Sequence, residues 1–489
     1  MQKATSLATR ALLAVLLTIG FYGLALAIVA ALLFVVYAEF EYAHRINLRL
    51  TAFCLIGAGT ILWSILPRPD RFTAPGPQLQ AVQHPRLFET ISDIARRVNQ
   101  KMPAEIYLVP DVNAFVAERG GLMGIGSRRV MGIGLPLLQT FTVPQLRAVI
   151  AHEFGHFYGG DTKLGPWVYK TRGAIGRTIQ GLGRSWLQAP FRWYGLLFLR
   201  ITHAVSRRQE FVADQLAVQT VGSRHLVNGL RAIHSVAPAY DAFWRNEYAP
   251  MLEAGYRASL VEGFAQFIRE PSIVQAMQKT VEQELESSQT DPYDTHPSLK
   301  ERIMAAEALA PGPDGDDGMS ALDLLTNVAE LERDLFVRIF GEQKVKSLNM
   351  LDWHQVGAQV WLPHWEKTAG KYADSIKGVT PASLPTFLRS PEPLAKQLQA
   401  SAQQPLALAD VGRGVVGITA MALCVTLVRR GWQLDSLPGA PVSVSHAGHV
   451  FRPFDEIGEL ASGSSLAEET WQQRCAQAGI ANLDLGNLS

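Results

Sequence analysis

The strongest constraint on what this chain can fold into is a run of 28 residues, Ala11 to Ala38, that carries no charge and is flanked by Arg10 and Glu39. About 20 apolar residues already span a bilayer core, and in lipid a single chain satisfies its own backbone only as a helix. Lys3 and Arg10 resemble the basic start of a signal peptide, and "LALA" (24–27) its cleavage site. Apolar sequence runs on through "IVAALLFVVYA", however, beyond the roughly 7–15 residues of a signal's apolar core. The segment therefore reads as a retained transmembrane helix. A second apolar run, Thr51 to Leu66, is closed by Pro67 and carries Trp63, which suits a membrane interface. It is short for a span, and a buried core helix is its rival. Together the runs make a transmembrane hairpin over residues 1–70, with a loop at 39–50. Lys3 and Arg10 before the hairpin and Arg68 and Arg71 after it stand against Arg45 and Arg49 in the loop. That bias puts both ends on the cytoplasmic side.

The Pro-rich stretch 67–78 reads as a linker to a soluble region. Helical periodicity over 85–102 and a short strand at 104–109 follow, then glycine-rich, turn-linked strands over 113–138. The pairs Gly124/Gly126 and Gly132/Gly134 do not complete a dinucleotide fingerprint. From Thr142 the pattern is helical, with a capping box of Thr142 and Gln145, Pro144 in the first turn and Gly159-Gly160 as the stop. Residues 311–320, "PGPDGDDGMS", are a second linker, whose acidic spacing does not match a calcium-binding loop. Residues 321–400 are helical in pattern. The apolar stretch 411–428 is charge-free only from Val415 to Val428, which favours a buried helix over a third span.

Composition excludes several classes of function. With 45 basic and 44 acidic residues the net charge is +1, and no basic stripe points to nucleic acid. Cys54, Cys424 and Cys475 are widely separated, which supports neither a disulfide framework nor a thiolate metal site.

The chemistry concentrates in "RAVIAHEFGHFYGGD" (147–161). On a helix, HExxH sets His152 and His156 one turn apart on one face, where both can bind one zinc ion, with Glu153 beside it in reach of a water. A third ligand is needed. The place of a metzincin's third histidine is held by Thr162, which disfavours that class. "SRRQEFVADQLAVQTVG" (206–222) offers another solution, a helix with Ser206 and Gln209 as capping box and Gly222 as stop. There Glu210 could ligate zinc while Asp214, one turn on, accepts a hydrogen bond from a ligating histidine. A solvated acidic face is the competing reading of either residue alone.

"AHEFGH", "SRRQEFVAD", the preceding "NAF" and "THPSLKERI" (295–303) occur in the order seen in the HtpX-like family of membrane-associated zinc metallopeptidases, which includes the CaaX prenyl endopeptidases. The resemblance covers roughly residues 80–305. It implies one zinc ion per chain held by His152, His156 and Glu210, Glu153 as catalytic base, and protein or peptide substrates. It also implies a gluzincin fold with an edge strand lining the cleft, expected at Val130 to Leu135, and makes His296 and Arg302 candidates for substrate or oxyanion contacts, with His296 counted as catalytic and Arg302 beside Asp214 as support for the ligands. The family's multi-pass members carry membrane helices between HExxH and the glutamate. Here only 190–205 is apolar, interrupted by Arg192 and Arg200, and it reads as a core or surface-resting amphipathic helix.

The expectation is an α+β, mainly helical protein: a hairpin in the bilayer (1–70), a zinc metallopeptidase domain (71–310), a linker (311–320) and a C-terminal accessory domain (321–489). Its setting would be a bacterial inner membrane, with the protease domain in the cytoplasm acting on membrane or misfolded proteins. A CaaX-type processing protease and a non-hydrolytic zinc-stabilised scaffold are the rivals. The oligomeric state is left open. His203, His225 and His234 read as packing or surface residues, Asp161 and Asp294 as turn or cap residues. His446 and His449 have HxxH spacing without an acidic or cysteine partner.

Overall fold

The computed structural model describes residues 7–42, 46–121, 126–157, 165–286, 296–313, 315, 318–402 and 404–488. Several sequence expectations fall outside these residues: Lys3, Arg45, Gly124, the Gly159-Gly160 stop, Asp161, Thr162 and Asp294. The chain divides into two compact units, residues 1–237 with 278–339 and residues 238–277 with 340–489. The linker read at 311–320 lies within the first unit.

The first unit opens with two apolar helices, α1 (Leu7–Glu41) and α2 (Leu48–Ile65). Helix α2 starts three residues earlier than its apolar run, because the Asn47 side chain accepts hydrogen bonds from the Arg49 and Leu50 amides and caps it. Its 18 residues then measure about 27 Å at 1.5 Å per residue, close to a hydrocarbon core. Three described helices are long and apolar enough to cross a bilayer: Leu12–Glu41, Leu48–Ile65 and Leu408–Val428.

Two further helices pack on this pair, α6 (Gly165–Leu182) and α7 (Gln188–Val221). Phe21, Ala25 and Val29 of α1 and Cys54, Ala58 and Ile61 of α2 share one core with Ile175, Phe191 and Phe198. The Tyr194 hydroxyl donates to the Leu17 carbonyl (2.7 Å), and Gly20 leaves the room that this hydroxyl needs. Helix α7 corrects the reading of 190–205 and 206–222 as separate helices. Its 34 residues are continuous, and Ser206 forms no capping box but donates to the Thr202 carbonyl within the helix (3.1 Å). The local capping pattern yields to burial on either side of it: Phe191 and Phe198 against the apolar pair, Ala213 and Ala217 in the core beyond. The stop at Gly222 does form, at φ 122°.

The rest of this unit carries α3 (Pro85–Arg97), a four-stranded sheet, α4 (Leu135–Thr140), α5 (Val143–Gly155) and the start of α8 (Ser223–Phe243). The strands are β1 (Gln78–Leu79), β2 (Glu105–Val109), β3 (Ala114–Arg119) and β4 (Arg128–Gly134), in the order β1-β2-β4-β3. β4 runs parallel to β2 and antiparallel to β3. The edge strands are therefore β1 and β3, and the expectation that Val130 to Leu135 forms an edge is wrong. β4 is paired on both sides, and Leu135 already begins α4. Opposite Phe115 stands Gly132, where any Cβ would collide with the Phe115 ring.

The segment after α2 is held against the sheet. Asp70 accepts from Arg119 Nε (2.8 Å) and Nη2 (3.1 Å) and from the Gly120 amide (2.8 Å), and its own amide donates to the Gly121 carbonyl.

In the second unit the helix Leu408–Val428 contributes eight buried residues to a core that includes Trp365, Phe451 and Trp471. That burial agrees with the buried-helix reading. His446 and His449 face each other across a tight turn at Ala447-Gly448, both at positive φ.

The Arg119 hydrogen bond holds the Asp70 carboxyl below its usual range against the opposing effect of burial, with the Gly120 amide adding to it. A folded-state value below the unfolded one means stability that is present above about pH 4 and lost as pH falls through the lowered value. Asp70→Asn is expected to cost about 1 kcal/mol at neutral pH for this partly exposed group. Urea or thermal melts should show the gap between mutant and wild type closing in acid, and a gap independent of pH would contradict the assignment.

Candidate metal centre

Helix α5 begins where Thr142 donates its amide to Gln145 Oε1 (2.8 Å), the reciprocal half of a capping box, with Pro144 in the first turn. Its last turn carries His152 and Glu153, and His156 is the C-cap. The imidazoles stand 4.8 Å apart at 84° to one another. Helix α7 crosses beside them and supplies Glu210, with Oε2 at 3.4 Å from His152 Nε2 and Oε1 at 3.7 Å from His156 Nε2. One ligand atom from each of these residues lies within 4.8 Å of the others, close enough for one metal ion, and this is the one such group among the described residues.

What permits the approach is Gly155. A Cβ there would sit 2.6 Å from the Ala213 Cα, inside the neighbouring backbone. Sequence reasoning passed over it, because a glycine in the last turn of a helix reads as part of the stop and not as a packing contact.

Behind the histidines lies a buried charged layer. Asp214 Oδ1 is 2.9 Å from His152 Nδ1, which fixes the ring and leaves Nε2 for a metal. Arg302 grips Asp214 with two bonds, Nε to Oδ2 (2.9 Å) and Nη2 to Oδ1 (2.6 Å), and its Nη1 approaches Glu210 Oε2 (3.5 Å). Arg302 comes from the helix Leu299–Glu307, whose N-cap Ser298 forms a capping box with Glu301. Arg302 is thus a buried partner of Asp214 and Glu210, and it also lines the cleft into which the cluster opens. His296 is more open, its side chain 59% exposed, with Nδ1 3.1 Å from Glu210 Oε1.

The electrostatics follow from this layer. Burial pushes the His152 imidazole down, but the hydrogen bonds to Asp214 and Glu210 outweigh it and raise it to about 9. Burial would raise Glu210, yet its bonds to His152 and His296 hold it well below the usual carboxylate range. Burial and the neighbouring His152 lower His156 to about 4. Glu153 is raised to about 7, mainly by burial, with a hydrogen bond from the Val116 amide of β3 as a partial counterweight.

These residues fit a divalent metal. With both imidazoles neutral, as metal ligation requires, Glu153, Glu210 and Asp214 set three carboxylates against one guanidinium, two negative charges in excess. Glu210 Oε2 is buried with no short, well-aligned donor, His152 Nε2 and Arg302 Nη1 standing 3.4 and 3.5 Å away. Two imidazoles and a carboxylate are a donor set that suits zinc.

The cluster opens into a cleft of about 640 Å³. One wall is the start of the edge strand, Asn113 to Phe115, and the other is apolar, from Leu226, Leu230 and Ile233 of α8. His234, expected to be a packing or surface residue, lines this cleft in contact with Glu284. Fifty residues separate the pair in the chain, so nothing in the local sequence announces it.

Comparison with known proteins adds the following. The family model described as Peptidase family M48 matches residues 81–310. Protease HtpX of Idiomarina loihiensis is 26% identical over 166 residues, 30% of this chain and 56% of that protein. Protease HtpX of a Pseudomonas putida strain is 25% identical over 185 residues, 32% of this chain and 59% of its own length. Protease HtpX homolog 1 of Sulfurisphaera tokodaii is 38% identical over 81 residues, 16% of this chain and 24% of that protein. The chain thus spans less than two thirds of the length of these relatives. No solved structure matches it.

Gly155→Ala is expected to force α5 away from α7. Overpacking of this kind costs about 1–3 kcal/mol, which would weaken zinc binding by roughly 5- to 150-fold if it falls on the ligand geometry. Equilibrium dialysis against a zinc buffer measures this, with circular dichroism as the check on folding. Unchanged affinity would show that the helix approach does not set the site.

Proposed function

The chain is an HtpX-like member of peptidase family M48, and from that premise we propose that it is a membrane-anchored zinc endopeptidase that cleaves protein chains. The observation that carries the proposal is the position of Glu153. It is a carboxylate raised to about 7, beside a three-residue ligand set and lining the same cleft as the edge strand. A purely structural metal site has no use for it, which weighs against a non-hydrolytic scaffold.

His152, His156 and Glu210 would hold the metal. Zinc bound there supplies a Lewis acid that polarises the scissile carbonyl and makes an attacking water more acidic. The protein's own residues do the rest. A substrate segment in extended form lies along β3, whose outer edge pairs with no other strand among the described residues, with its side chains against the apolar wall of α8. Glu153 takes the proton from the water as its oxygen adds to the carbonyl carbon, then hands that proton to the departing amine. The raised affinity of Glu153 for a proton suits both halves of this transfer. Asp214 keeps the His152 ring oriented with Nε2 forward, and Arg302 keeps Asp214 ionised. His296, at the mouth of the cleft, donates a hydrogen bond to the developing oxyanion. The apolar hairpin is the anchor, and the arginine excess at its two ends supports a cytoplasmic cleft that takes membrane or misfolded proteins.

Glu153→Gln with zinc still bound is expected to lower cleavage of an unfolded protein by at least about 10²-fold. Equal turnover by mutant and wild type would remove Glu153 from the mechanism, and no cleavage by the zinc-loaded wild type would favour a scaffold. His296→Gln is expected to lower kcat by about 10² with KM and zinc content kept, as for loss of an oxyanion donor. A rise in KM with kcat intact would make it a binding residue instead.

A further inference from the structure

Away from the metal centre, a groove of about 650 Å³ runs between α2 and α6. That volume falls within the roughly 300–1,000 Å³ of small-molecule sites. At one end it is lined by Arg68 and Arg177, with Gln180 beside them, and along α2 its lining passes Thr60 and Gly59 to Ile56. The groove therefore changes from cationic to apolar along a helix that is long and apolar enough to cross a bilayer.

The two arginines have structural tasks that leave them cationic. Arg177 donates through Nε (3.2 Å) and Nη2 (3.0 Å) to the Ser64 carbonyl in the last turn of α2, as a helix C-terminus prefers. Arg68 lies over the Trp63 ring, 5.6 Å from its centroid. Among the described residues neither is ion-paired to a carboxylate, and Asp70, two residues beyond Arg68, is taken by Arg119. Two like charges facing one groove at the end of an apolar helix are an arrangement that an anion completes. Basic pockets beside transmembrane helices at the membrane surface bind phospholipid headgroups. A free anion would leave the apolar end uncovered, and Ile56 and Trp63 are each 68% exposed.

We propose that the groove between α2 and α6 binds one anionic phospholipid, its phosphate held by Arg68 and Arg177 and an acyl chain lying along α2 past Gly59 toward Ile56. The site is separate from the metal centre, and its test does not depend on proteolysis. Gly59 is the position to fill: a Cβ there meets no atom within 4 Å, so Gly59→Leu starts from open space and extends its branch into the groove.

The experiment uses the full chain in neutral detergent with fluorescent phosphatidylglycerol and, separately, phosphatidylcholine carrying the same label. Wild type should bind phosphatidylglycerol at least tenfold more tightly. Arg68→Gln should weaken that binding about fivefold, the order expected for one basic residue at a membrane surface. Gly59→Leu should weaken it with helical content and melting unchanged, and if that variant does not fold, Arg68→Gln decides. Equal affinity for the two lipids, or no effect of Arg68→Gln, would overturn the proposal. Displacement by millimolar inorganic phosphate as complete as by unlabelled phosphatidylglycerol would overturn it too, in favour of a free-anion site.

Discussion

Everything in the ligand cluster depends on how closely α5 approaches α7, and that separation is set where Gly155 meets Ala213. Neither position leaves a side chain to spare. Glu210 lies three residues before Ala213 and Asp214 one after it, so the contact that fixes the helices also fixes which carboxylates face the histidines. One ion can be reached by three side chains only within a tolerance of a few tenths of an ångström. A backbone contact, unlike a side-chain contact, has no rotamer through which to relax. The neighbouring Ala217 and Val218 are fully buried and extend the same interface.

Burying this many charges is costly unless they answer one another. Asp214 and Arg302 do so through two short bonds, and His152 joins them through Nδ1. What they leave over is negative and lies on the cleft side, at Glu210 and Glu153. The same arrangement that suits a dication makes the bare cluster poorly balanced, so a bound ion contributes to the stability of the folded chain by mass action. Arg302 comes from a helix some ninety residues beyond Glu210, which ties the end of this unit's fold to the centre of its chemistry.

Much of this was legible in the sequence, and the parts that were not share a cause. The two apolar helices, the capped helix carrying HExxH, and Glu210 with Asp214 one turn apart are all local patterns, and each helix forms where the sequence pattern puts it. The edge strand was misplaced because strand order is decided by pairing between distant segments. In the glycine-rich stretch 113–138 the deciding feature is that Gly132 makes room for the Phe115 ring, a contact across strands. Ser206 and Gln209 match a helix start, yet α7 passes through them, because packing at Phe198 and Ala213 outweighs a cap of about 1 kcal/mol. His234 gained its place in the cleft from Glu284 on another helix, which no local pattern records.

The continuity of α7 has one more consequence. Tyr194, bonded to α1 at Leu17, and Glu210, in the ligand cluster, lie sixteen residues apart on one unbroken helix, or about 24 Å along its axis. The helix is a rigid ruler between the apolar hairpin and the cleft. A chain tethered in the bilayer and running alongside it covers that length in about seven extended residues. For the turnover of membrane proteins proposed above, reach as much as side-chain preference would then select which bonds of a tethered protein come to Glu153.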